Sequence, residues 1–382
     1  MIRLLFAGLV ISCSAHAGYL YQRQITLGGA GQIPTSQANF TVFVCANATM
    51  GNGNACASVP GLNQTGTGAH VTSAAGYDII FSSTMCSSPT LLAWNMELYT
   101  ASTGAMLAHV LLPTLAASGA LYICYGNSAV SSFQGALGGA AWDTSYVSVW
   151  HLADTSFPAT DSAGSFNTSN GAATFGTAGQ IGNGVTLGTA ATQFLGVLQT
   201  PNNGAITMEA WINTSASAVG LWLYGDQWPP TSQTAFDRQV FLDGNGKLNW
   251  HVYNGATVIA GPSSASFSDG NWHHIAAVID TSAGLILYAD GTSVATNAGG
   301  TNGYNGFANP RIIFGAAGGT ALAQPAGMSG AIDEMRVSSV ARSANWIKTE
   351  FDNQSAPAAF LSYGPEGTVP QSASRSILTV IE

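Results

Sequence analysis

The sequence predicts an all-β protein of two sandwich-like domains, and three observations predict it. Charged residues are only 7% of the 382-residue chain while hydrophobic residues are 46%, a balance ill suited to solvent-exposed helices, which carry charged faces. Glycine occurs 46 times, as turns at positive φ require. Short apolar runs recur between Gly/Asn/Ser punctuation, with no useful helical periodicity, which is the pattern of a sandwich or barrel. A chain this long has room for two or three domains.

The N-terminus reads as a signal peptide over residues 1–17. Met1-Ile2-Arg3 is a positive leader, residues 4–12 are apolar, and Ala15-His16-Ala17 is a small-x-small cleavage site. Val10-Ile11-Ser12-Cys13 also fits a loose lipobox, with Cys13 as the acylated residue, as a minority alternative. No other segment reads as membrane-spanning. Cys45, Cys56, Cys86 and Cys124 remain, all in the first third, and an even set in an exported domain reads as two disulfides. Three connectivities are open; Cys45–Cys56, closing a Gly/Asn-rich loop, with Cys86–Cys124 is the expected one.

Strands are expected at 20–27, 39–46, 77–82, 91–99, 106–112 and 121–125, making a first domain over 18–131. A Gly-bearing linker follows at 132–141, then a second β domain at 142–365 and a polar tail at 366–382 that is strand-like only at 377–381. Between residues 18 and 140 the only charged side chains are Arg23, Asp78 and Glu97, so acid–base chemistry is not expected there. Nine Lys plus Arg against a net charge of −9 leave no basic patch for phosphates and exclude nucleic acid as a partner.

The first domain carries Tyr21-Gln22-Arg23-Gln24-Ile25-Thr26-Leu27, Gly76-Tyr77-Asp78-Ile79-Ile80-Phe81, Met96-Glu97-Leu98-Tyr99 and Ala108-His109-Val110-Leu111-Leu112-Pro113 in that order. In these it resembles a bacterial family known as domain of unknown function 2341, which implies an exported β-sandwich and no activity. The second carries Val149-Trp150-His151-Leu152, Ile206-Thr207-Met208-Glu209-Ala210-Trp211-Ile212, Asn271-Trp272-His273-His274-Ile275-Ala276 and Gly330-Ala331-Ile332-Asp333-Glu334-Met335-Arg336-Val337. It resembles a laminin-G-like jelly roll of the concanavalin A-like lectin/glucanase superfamily.

That superfamily includes glucanases, and glycoside hydrolysis needs two facing carboxylates. No Glu-x-Asp-x-x-Glu run exists; Glu209 has no acidic partner in register, and a regular strand sends Asp333 and Glu334 to opposite faces. There is no G-x-S-x-G elbow. His273 and His274 likewise diverge, and the resemblance makes them a structural pair with one ring packed inward and hydrogen-bonded. The resemblance does imply a possible Ca2+, with Asp161 and Asp333 as ligands by position. Asp243-Gly244-Asn245-Gly246 and Asp290-Gly291 read as turns.

Glycan recognition needs aromatic platforms and planar amides. Trp222, Tyr224 and Trp228 cluster before Pro229-Pro230, while Asn249, His251 and Tyr253 share one face of the next strand. Core packing is the competing role for Trp222 and Tyr224. The expectation is therefore an exported, non-catalytic protein that binds a carbohydrate or a cell-surface or matrix ligand. The alternatives are a structural envelope component acting through protein contacts and a glycoside hydrolase with unrecognised residues.

Overall fold

In the computed structural model, residues 18–371 are described, apart from 52, 136–138, 191, 230–234, 304–305, 307 and 319–326. The expected signal peptide at 1–17, with Cys13, and the strand expected at 377–381 lie outside the described residues.

All six apolar runs of the first third become strands: β1 (Tyr21–Thr26), β2 (Gln37–Ala46), β3 (Ile80–Ser82), β4 (Trp94–Thr100), β5 (Ala105–Leu115) and β6 (Ala120–Tyr125). One sheet places β1 beside β6 and β6 beside β3; a second runs β2-β5-β4. Alternation along β2 decides what each side meets. Phe40, Val42 and Val44 point into the core between the sheets with Phe81, Trp94, Val110 and Ile123. Phe43 and Cys45 point outward, covered by Met50, Cys56 and Ile181. Both disulfides form with the expected pairing: Cys45–Cys56 and Cys86–Cys124, with Cα separations of 5.6 and 5.8 Å.

The second sandwich stacks two antiparallel sheets. The first contains β7 (Tyr146–Trp150), β9 (Thr174–Ala178), β10 (Asn183–Leu187), β12 (Ile206–Asn213), β17 (Trp272–Asp280), β18 (Gly284–Ala289), β19 (Thr292–Asn297) and β21 (Gly330–Ser338). Their order is β19-β18-β17-β12-β21-β10-β9, with β7 also paired to β21. The second has the order β16-β15-β14-β13-β20-β11-β8, from β8 (Asn170–Gly171), β11 (Leu195–Leu198), β13 (Val219–Gly225), β14 (Phe236–Leu242), β15 (Leu248–Tyr253), β16 (Thr257–Ala260) and β20 (Arg311–Phe314). Between them lies an apolar core built by alternate residues such as Met208, Ala210, Ile212, Val240, Leu242, Trp250 and Ile275. The fold is all-β, a β-sandwich followed by a jelly-roll sandwich.

The chain then turns helical, against the expectation of strands alone. Helix α1 (Ala344–Ser355) starts at Ser343, whose Oγ accepts the Trp346 N–H, and α2 (Pro357–Phe360) follows. Trp346, Ile347, Glu350 and Gln354 are the buried stripe of α1. Strands β22 (Ser362–Tyr363) and β23 (Gly367–Thr368) return to pair with β1. Part of the stretch expected to be a loose tail thus completes the first sheet, and Val369 is buried. The outer face of the eight-stranded sheet, at Ala276, Val278 and Tyr288, shares one core with α1, α2 and the first sandwich.

Candidate functional site

Structure separates the predicted ligand patch. Trp222 and Tyr224 are fully buried in the jelly-roll core, because a bulge after Gly220 shifts the register of β13 against β14. The Tyr224 hydroxyl is hydrogen-bonded to Gln199 Oε1. These two residues face no solvent, so they are corrected from ligand contacts to core. Asn249 and His251 do lie on the face opposite Leu248, Trp250 and Val252, but both are buried. Asn249 donates to the Lys247 carbonyl, and His251 meets Phe241 edge-on; burial lowers the His251 pKa to about 4. Tyr253 is half-buried.

Trp228 lines a cavity, of about 410 Å3, with Phe194, Asn170 and Thr192. Its indole stacks on Phe194 at 5.8 Å, and the Arg311 guanidinium lies 4.8 Å from its ring. Gly196 is required beneath it, since a Cβ there would sit 2.6 Å from the indole.

A second cavity, of about 460 Å3, opens where the two sandwiches and the end of α1 meet. Trp211 and Trp272 supply aromatic surface, and Asn213, Asn271 and Gln180 supply amides. Gln180 donates to the Gln354 carbonyl, leaving its Oε1 buried with no partner. His273 is held from both sides, Nδ1 to Asp290 at 2.8 Å and Nε2 to Asp269 at 3.1 Å. Burial opposes its charge, but these two carboxylates raise its pKa on balance. Asp290 also accepts the His274 N–H and sits at φ 50 before Gly291, in the β18–β19 hairpin. The buried ring of the pair, His274, packs on Trp211 and Phe351. It is the more exposed ring, His273, that carries the hydrogen bonds, the reverse of the expectation.

A third feature was invisible in the sequence. Opposite Ala210, β21 bulges at Glu334, whose φ is 51. The bulge breaks strand alternation, so Asp333, Glu334 and Arg336 all leave the jelly-roll core while Ile332, Met335 and Val337 remain in it. Arg336 binds Glu334 and Glu350, with its guanidinium 5.0 Å from the Trp142 ring. His151 Nδ1 is 2.6 Å from Glu334 Oε1, and His109 Nε2 is 3.3 Å from Glu97 Oε2. The charge-poor first domain therefore contributes Glu97 and His109 to a buried ionic layer, against expectation. One donor atom from each of Glu97, His109, His151 and Glu334 lies within 4.8 Å of the others.

Electrostatics follow from burial. Burial pushes Glu97 well above the carboxylate range and His109 well below the imidazole range. Burial would also raise Glu334, yet His151 and Arg336 hold it well below the usual value. Glu209, which lacked a partner in register, is raised by burial and then by Glu350 across the layer.

Asp161 and Asp333 fit calcium poorly. Asp161 accepts the N–H groups of Val149, Ala163 and Phe166, and Asp333 those of Ile181 and Glu334. Every carboxylate oxygen is committed to backbone, so both residues act as caps of a turn and a bulge.

Residues 180–348 match the family model Laminin_G_3, of the concanavalin A-like lectin/glucanases superfamily. No curated protein matches. Similar solved structures include the binding domain of Paraclostridial Mosquitocidal Protein 1, at 14% identity and a TM-score of 0.42, covering 55% of this chain and 52% of that one. The receptor binding domain of botulinum neurotoxin C/D mosaic serotype is similar at 14% identity and a TM-score of 0.40, covering 55% and 51%. The chain spans about half the length of these structures. Among the described residues no helix is long and apolar enough to cross a membrane.

Proposed function

We propose that the chain is an exported, non-catalytic binding protein whose ligand is a carbohydrate, held in the cavity at Trp272. The observation that carries this reading is the lining of that cavity, where the half-buried Trp272 indole stands beside the Asn213 and Asn271 amides and a fixed His–Asp pair. Indole faces suit the C–H faces of sugar rings, and amides pair as donor and acceptor with neighbouring hydroxyls. His273, already fixed between two carboxylates, loses little freedom on binding. Asp290 is the one carboxylate among the described residues lining the cavity, whereas glycoside hydrolysis takes two.

Trp228 supports a second reading, because its half-exposed indole and Phe194 form an aromatic pair in a separate cavity. The first domain, resembling domain of unknown function 2341, then acts as a spacer or second module. The two disulfides suit an oxidising compartment.

The test is a glycan array probed with the wild-type protein and with Trp272→Ala and Trp228→Ala. Selective binding lost only in Trp272→Ala supports the reading. Loss only in Trp228→Ala moves the site to the second cavity. Silence on every glycan turns the assignment to a structural protein working through protein contacts.

A further inference from the structure

We propose that Glu97, His109, His151 and Glu334 form a divalent transition-metal site, suited above all to zinc, that joins the two sandwiches. Each domain supplies two of the four: Glu97 from β4 and His109 from β5, then His151 just past β7 and Glu334 on β21. The inference is independent of the carbohydrate reading.

Distance is the first argument. Donors around a tetrahedral ion at about 2.0–2.1 Å lie roughly 3.3 Å from one another. His109 Nε2 and Glu97 Oε2 are 3.3 Å apart, and Glu97 Oε2 and His151 Nδ1 are 3.9 Å apart. The one short separation, 2.6 Å between His151 Nδ1 and Glu334 Oε1, is that of a bridging proton, which a cation would replace. Two imidazoles and two carboxylates are a donor set for zinc or its neighbours, whereas calcium takes oxygen alone.

The supporting groups are those that orient ligands. His151 Nε2 lies 3.2 Å from Ser162 Oγ and 3.4 Å from the Asn95 side-chain nitrogen. Asn95 Oδ1 is buried without a partner. Ser162 Oγ donates to the Val149 carbonyl, so its lone pair accepts from Nε2. Ser162 thereby holds the proton on Nε2 and leaves the Nδ1 lone pair for the metal. Glu334 keeps Oε1 for the cluster because Arg336 takes Oε2, at 2.5 Å. Glu97 Oε1 and His109 Nδ1 are buried with no hydrogen-bond partner, so protein hydrogen bonds alone do not satisfy the cluster.

Backbone and charge agree. Glu334 at φ 51 and Leu152, next to His151, at φ 60 are left-handed non-glycine residues, a conformation retained where the surroundings demand it. Among the described residues Glu97 has no guanidinium within salt-bridge distance, since Arg336 pairs with Glu334 and Glu350 and Arg342 with Asp143. A cavity of about 280 Å3, lined by Glu97, His151 and Ser162, reaches the cluster from solvent.

The test titrates the chelator-treated full-length protein with zinc chloride and cobalt chloride, reading stoichiometry, the cobalt ligand-field spectrum and the melting temperature. The expected result is one ion per chain, the absorption of four-coordinate cobalt, and a raised melting temperature. His109→Gln and the near-isosteric Glu97→Gln should abolish all three. Ser162→Ala should weaken binding about 10- to 100-fold, and His70→Ala, at a separate His–Glu pair, should change nothing. If His109→Gln fails to fold, Glu97→Gln and the wild-type cobalt spectrum decide. Absence of binding by the wild type, unchanged binding in Glu97→Gln, or stabilisation by calcium chloride in place of zinc overturns the assignment.

Discussion

The two faces of the eight-stranded sheet are made by alternate residues of the same strands, yet they bury opposite kinds of chemistry. Toward the jelly-roll core β12 sends Met208, Ala210 and Ile212, and β21 sends Ile332, Met335 and Val337. Toward the first domain the same strands send Glu209 and Trp211, then Asp333, Glu334 and Arg336. On the inner face, stability comes from apolar area removed from water, about 25 cal/mol per Å2. On the outer face, ionic pairs recover little beyond their own desolvation, so they fix how the domains dock more than how firmly. Removing half of such a pair is nevertheless costly, because a charge stays buried alone.

That contrast can be broken at one strand. Arg336→Leu should cost about 3–5 kcal/mol in urea unfolding, since Glu334 and Glu350 lose their shared cation. A loss below about 1 kcal/mol would mean that the outer layer is not the buried ionic environment described. Ile332→Val, four residues earlier on the inner face, should cost only about 0.5–1.5 kcal/mol, the transfer and cavity terms of one methylene.

Acid sharpens the comparison further. Burial lowers His274, on the outer face, to about 4, so the unfolded chain binds its proton first as pH falls below about 6.5. The stability this neutral ring contributes is therefore present above that pH and is lost as pH falls toward 4. Melting temperature followed between pH 7 and 4 should fall less steeply for His274→Gln than for the wild type; parallel curves would contradict the assignment. The smallest effect belongs to the partly exposed i,i+4 pair Lys348–Asp352 on α1, where Lys348→Ala should cost about 0.3–0.5 kcal/mol by the same urea measurement.

Much of the frame was legible because it is local. Strands β1 to β6 follow apolar runs, Asp290-Gly291 makes a hairpin because both residues take positive φ, and the paired cysteines close loops of 11 and 38 residues. What was illegible depends on long-range register. Trp222 and Tyr224 go inward because β13 bulges, and Glu334 turns outward because β21 does. Glu97 and His109 meet His151 and Glu334 only after two domains dock, which no spacing encodes. The cavity at Trp272 was missed similarly, since Asn271-Trp272-His273-His274 reads as a strand signature until Gln180 and Trp211 are brought beside it. The stripe Trp346, Ile347, Glu350 and Gln354 was a readable helical signal, overlooked beside so much β pattern.

One small contact has a consequence for how the protein is made. Strand β2 lies at the edge of its sheet, and Asn353 of α1 grips it there, taking the Phe43 N–H on Oδ1 at 2.7 Å and giving its amide to the Phe43 carbonyl at 2.9 Å. The side chain imitates a neighbouring strand for one residue and blunts an edge that could otherwise recruit another chain. Its partner lies 310 residues away in sequence, and β22 and β23 are farther still from β1. During synthesis, which proceeds from the N-terminus, the first sandwich thus stands unfinished until nearly the whole jelly roll has emerged. The sandwich made before the jelly roll is sealed after it.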